Sequence, residues 1–94
     1  MLVAKKGEPI YYNLRTEPGE YLKILLRGDG DGDIDCYLYD VDGNLVKKDD
    51  DTTNTCLIEG QSTAYRYRLK VANSSDNDSF FVLRVIRSKP DKDI

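Results

Sequence analysis

The aspartates carry the densest chemistry in this sequence. Asp29, Asp31, Asp33, Asp35, Asp40, Asp42, Asp49, Asp50 and Asp51 place nine of the 17 acidic residues within 23 positions, offset there only by Lys47 and Lys48. Ca²⁺ takes about six to eight oxygen ligands at about 2.3–2.6 Å, and Gly28, Gly30 and Gly32 let carboxylates converge without β-carbon clashes. The spacing is not that of an EF-hand loop. Counted from Asp29 the sixth residue is Ile34, and counted from Asp40 it is Leu45, where that loop requires glycine; the twelfth from Asp40 is Asp51, not glutamate. A calcium site must therefore be assembled across strands, and the candidate ligands are Asp31, Asp33 and Asp35 with Asp49, Asp50 and Asp51. Same-face neighbours in a strand lie about 6.8 Å apart, so a shared ion needs bending or distant partners. A solvated acidic turn whose aspartates bond their own backbone explains the same composition.

Two further surfaces carry recognition chemistry. Tyr37 and Tyr39 alternate with Cys36 and Leu38, which puts both phenols on one face, suited either to sugar or protein contact or to packing across strands. Arg66, Arg68 and Lys70 form a basic stripe, with Arg84 as a candidate fourth member, able to receive an acidic partner or simply to face solvent. Tyr37, Tyr39, Arg66 and Arg68 are the candidate partner-binding residues.

Other chemistries are excluded by what is missing. The chain has no histidine, which removes Ser-His-Asp and Cys-His catalysis and histidine-ligated zinc or haem. Asp40 and Asp42 sit in an exposed turn that supplies no burial to raise one pKa, so the chain is expected not to be an enzyme. A net charge of −3 argues against nucleic acid, which is held by clustered Lys and Arg. The two cysteines, Cys36 and Cys56, fit either one disulfide or two buried thiols.

These residues are positioned by strands, because two-residue alternation dominates and helical spacing is nowhere sustained. Ile10, Tyr12 and Leu14 alternate before the turn Glu17-Pro-Gly-Glu20, and Leu22, Ile24 and Leu26 then define an inward face. Ile34, Cys36 and Leu38 follow the acidic loop, and Asp40-Val-Asp-Gly-Asn44 supplies a hairpin turn. Leu45 and Val46 begin a short return, 47–54 reads as a loop, and 55–58 as another short strand. Tyr65, Tyr67, Leu69 and Val71 face one way in the next strand, and Phe81, Leu83 and Val85 face inward in the last, opposite Phe80 and Val82. Seven or eight such strands predict an all-β, antiparallel two-sheet sandwich forming one domain, with its core over about residues 10–87 and a flexible polar tail over 88–94.

Taken in order, Gly19-Glu-Tyr-Leu-Lys-Ile-Leu-Leu26, Asp33-Ile-Asp-Cys-Tyr-Leu-Tyr-Asp40, Asp42-Gly-Asn-Leu-Val46, Tyr67-Arg-Leu-Lys-Val71 and Phe81-Val-Leu-Arg-Val85 resemble the bacterial pre-peptidase C-terminal domain. The resemblance spans roughly residues 10–87. It departs from the family pattern at Cys36 (usually aliphatic), at Val41 (often proline) and in the longer approach Gln61-Ser-Thr-Ala64. It implies a jelly-roll-like sandwich and a noncatalytic accessory module, sometimes calcium-binding, of a secreted prokaryotic hydrolase or surface protein. The implied partners are a catalytic domain of the same precursor or an extracellular protein or polysaccharide, and the implied location is extracellular or at the cell surface. The alternative is a carbohydrate- or protein-binding module using the tyrosine face. No apolar run approaches the about 20 residues of a membrane span.

Overall fold

The computed structural model describes residues 2–28, 33–51 and 53–89. Eight strands run in chain order: β1 (Leu2–Ala4), β2 (Ile10–Arg15), β3 (Tyr21–Gly28), β4 (Ile34–Tyr39), β5 (Leu45–Asp49), β6 (Thr55–Gln61), β7 (Arg66–Asn73) and β8 (Ser79–Ser88). They form two antiparallel sheets of four, ordered β1-β8-β3-β6 and β2-β7-β4-β5. The pairs β1–β8, β2–β7, β3–β6 and β4–β5 are the rungs of one long hairpin, dealt alternately to the two sheets, and β3–β8 and β4–β7 close each sheet. That is the jelly-roll arrangement, and the expected all-β sandwich is the fold of the chain.

The alternating side chains meet between the sheets. Leu22, Ile24 and Leu26 of β3, Ile58 of β6 and Phe81 of β8 pack against Leu14 of β2, Ile34 and Leu38 of β4, and Tyr67, Leu69 and Val71 of β7. Cys36 on β4 and Cys56 on β6 are joined in a disulfide that ties one sheet to the other through this core. The Asp40 turn forms as its residues dictate: the Asp40 carboxylate accepts from the Asp42 and Asn44 N–H groups, both at 2.9 Å, and Gly43 takes φ 83°. These bonds to the ionised form, led by Asn44, hold the Asp40 carboxyl below its ordinary range.

Several boundaries differ from the sequence reading, each for a reason of pairing. Residues 2–4 form a strand because β8 offers them an edge, and Ala4 is buried there. β5 continues through Asp49 and β6 through Gln61, although 47–49 looks like solvent loop and Glu59-Gly60 like a stop. Tyr65 lies before β7 and is 69% exposed, not turned inward with Tyr67.

Polar residues account for the longer β5. The Lys47 ammonium donates to the Glu59 carbonyl at 2.7 Å, and the Asp49 carboxylate accepts the Leu57 N–H at 2.8 Å. Two side chains of one sheet's edge strand thus satisfy backbone groups on the edge strand of the other. A register shift between Leu38 and Tyr39, together with Lys47 and Lys48, further blunts the β5 edge against pairing with another chain.

Candidate functional site

The outer face of the β2-β7-β4-β5 sheet collects the recognition residues. Register places Tyr11, Lys70, Tyr37 and Lys48 in one row across the four strands, Asn13, Arg68 and Tyr39 in the next, and Arg15 beside Arg66 in the third. The period of two along each strand puts all nine on the side away from the core. The Arg68 guanidinium carbon lies 4.9 Å from the Tyr11 ring centre, and the Lys70 ammonium 5.5 Å from that of Tyr37. Cation–π attraction at these distances holds the cations over the sheet. Burial, then the charges of Asp35 and Asp50, push the Tyr37 phenol above its ordinary value, so it is a neutral hydroxyl at physiological pH. A cleft of about 810 Å³ opens over this face, lined by Tyr11, Asn13, Tyr39, Arg66, Arg68 and Lys70 among others.

Beside this face, at the start of β4, the aspartates divide into two groups. Asp35 is only 8% exposed; its Oδ2 accepts from the Ser74 hydroxyl at 2.9 Å, while its Oδ1 and Asp33 Oδ1 are buried without a hydrogen-bond partner. Burial, then the neighbouring Asp33 and Asp50 charges, raise the Asp35 carboxyl above its ordinary range, against the lowering effect of Ser74. The other aspartates have local partners. Asp49 holds the Leu57 N–H, Asp50 pairs with Lys48 at 3.0 Å, and Asp51 accepts the Thr53 hydroxyl at 2.7 Å. Asp31 lies outside the described residues. No group of three or more acidic or cysteine side chains is arranged to hold a metal ion among the described residues.

The structure therefore brings together Tyr37, Tyr39, Arg66 and Arg68, and separately Asp33 and Asp35. Arg84 does not join the basic stripe, because β8 belongs to the other sheet; Arg15 takes that place from β2. Tyr11 and Asn13 were legible as the alternates of Ile10, Tyr12 and Leu14, but neither they nor Arg15 carried a sign of which sheet β2 would join. The outer face of the opposite sheet is mixed, with Val3, Leu57, Phe80, Val82 and Ile86 exposed among Lys23, Arg27, Arg84 and Glu59.

No family model matches the chain, and no curated protein matches it.

Proposed function

We propose that the chain is a noncatalytic binding module that holds or targets a hydrolytic or surface partner, and that its ligand face is the outer side of the β2-β7-β4-β5 sheet. The single observation that carries this reading is the convergence on one cleft of tyrosine, arginine, lysine and asparagine side chains from three strands. Aromatic faces and forked donors together recognise extracellular polymers, and the Cys36–Cys56 disulfide suits an oxidising compartment. The jelly-roll order agrees with the resemblance to the pre-peptidase C-terminal domain and supports the accessory-module reading by analogy. Labelled protein applied to an array of extracellular glycans and matrix proteins is expected to bind, and Tyr39→Ala to lose that binding while the melting temperature stays within a few degrees. Binding unchanged in Tyr39→Ala would place the ligand elsewhere.

A second reading, calcium at the start of β4, is favoured by the two orphaned buried oxygens, Asp33 Oδ1 and Asp35 Oδ1. A hard cation supplies what these carboxylates lack, with its remaining ligands drawn from backbone oxygens and water. Without the ion, Asp35 is a liability whose sign is fixed by its raised folded pKa. The folded state favours the protonated form, so stability falls as pH rises from the unfolded value of about 3.9 through the raised folded value. Asp35→Asn is therefore expected to melt higher than wild type at pH 7 in chelator, with the difference closing below about pH 4. Millimolar Ca²⁺ is expected to raise the wild-type melting temperature and leave Asp35→Asn unmoved. A wild-type melt identical in chelator and in Ca²⁺ sinks this reading.

A further inference from the structure

The binding-module reading leaves the ligand's chemistry open, and the charges on the face narrow it. Arg15 and Arg66 are direct cross-strand partners, and Arg68 and Lys70 follow on the same face of β7 at steps of about 6.8 Å. Like charges placed opposite each other destabilise a sheet. No carboxylate among the described residues is ion-paired with them, although Asp40, whose carboxylate accepts from the Asp42 and Asn44 N–H groups, lines the same cleft. Lys48–Asp50 is the one ion pair among the described residues, and no carboxylate there reaches Arg15, Arg66, Arg68 or Lys70. Glu20, which shares a hollow with Arg15 and Arg66, turns its carboxylate to the Glu17 N–H at 3.0 Å instead. The cations are also positioned, since Tyr11 and Tyr37 hold Arg68 and Lys70 over the sheet. An oriented array of guanidinium and ammonium groups without ion-pair partners is complementary to an anion.

Resting on that reading, we propose that this face binds an acidic polysaccharide, a linear chain carrying uronate carboxylates or sulfate esters. Arg15, Arg66, Arg68 and Lys70 take its anionic groups, and Asn13 and the tyrosine hydroxyls take its sugar hydroxyls. Tyr39, whose ring carries no cation, takes a sugar face. Three features favour a glycan over other polyanions. β7 and β4 are central strands with neighbours on both sides, so a peptide cannot add to them by strand pairing. The side chains of the face are mostly hydrogen-bond donors set beside aromatic rings, with little of the deep apolar pocket that anchors a peptide. Asn13, the tyrosine hydroxyls and the Tyr39 ring offer contacts to sugar hydroxyls and a sugar face that a polyphosphate backbone lacks.

The whole chain, with its disulfide intact, is to be titrated at low salt with polygalacturonate, dextran sulfate, neutral dextran, polyglutamate and oligodeoxythymidylate, by affinity electrophoresis and calorimetry. Retention by polygalacturonate or dextran sulfate but not by dextran is expected, and which of the two binds tells carboxylate from sulfate. Arg66→Gln with Arg68→Gln is expected to weaken that binding at least tenfold and to flatten its salt dependence. Its melting temperature is expected to hold or rise, because repulsion with Arg15 is removed. Arg27→Gln, on the opposite sheet, is expected to change nothing. Polyglutamate or oligodeoxythymidylate binding as tightly as the acidic glycans overturns the glycan assignment. Dextran alone binding, with loss in Tyr39→Ala, overturns the anionic ligand and leaves the binding face standing. Acidic glycan binding untouched by the Arg66/Arg68 changes overturns the face itself, and no binding to any probe overturns the proposal.

Discussion

Replacing Cys36 and Cys56 together with alanine is expected to cost about 3 kcal/mol of folding stability, because the bridge closes a 20-residue separation in the unfolded chain. For a domain of this size that corresponds to a fall in melting temperature of roughly 12–25 °C. The cost is large because the bridge is the covalent link between the sheets: β4 and β6 lie in different sheets and share no backbone ladder. Both cysteines are fully buried, so the substitution also removes packed sulfur atoms from the core. Thermal and urea unfolding of the double variant beside oxidised and reduced wild type tests this. Reduced wild type should fall close to the variant. A loss under about 1 kcal/mol in the variant would mean that the bridge hardly constrains the unfolded chain.

Phe81→Ala is expected to be comparably damaging, at about 3–5 kcal/mol. Its ring is 1% exposed and is the largest fully buried side chain of the core. It stands in register between Leu2 of β1 and Gly28 of β3. The place opposite cannot fill the hole, since a β-carbon added at Gly28 would come within 2.9 Å of Ile34 Cδ1 and 3.0 Å of the Asn54 carbonyl. The cavity therefore persists, and a domain of marginal stability has little reserve against it. Val82→Ala, one residue along on the outer face and 57% exposed, is expected to change stability by under about 0.5 kcal/mol. Urea denaturation of the two variants decides the matter, because equal losses would mean that the inward and outward faces of β8 are misassigned.

The exposed Val3, Leu57, Val82 and Ile86 lie on the outer face of the opposite sheet, away from the cationic cleft and beside Lys23, Arg27 and Arg84. The low net charge conceals a clustered surface, with Arg15, Arg66, Arg68 and Lys70 gathered over one sheet and aspartates concentrated at the β4 start and the β5–β6 connection.

The alternation of Leu22, Ile24 and Leu26, of Cys36 and Leu38, and of Leu69 and Val71 sufficed for a sandwich. A period of two states locally which side chains share a face, and burial follows once a second sheet covers that face. Tyr37 with Tyr39 and Arg66 with Arg68 were legible as pairs for the same reason. What the pattern cannot contain is a strand's choice of neighbour. Arg84 and Arg68 alternate alike along their own strands yet end on opposite sides of the molecule, because β8 joined β3 while β7 joined β4. Arg15 became part of the cationic face only through its pairing with Arg66. Likewise Lys47 and Asp49 read as loop residues until β6 presented a carbonyl and an N–H for them to satisfy. The aspartate cluster divided by the same rule: Asp49, Asp50 and Asp51 found partners, while Asp33 and Asp35 at the start of β4 were each left with one buried oxygen unmet. Local sterics and hydrophobic period thus marked the central strands and their inward faces from the sequence alone. Sheet order, the cationic cleft and the fate of each carboxylate were decided by contacts between residues distant in the chain, whose energies no local pattern carries.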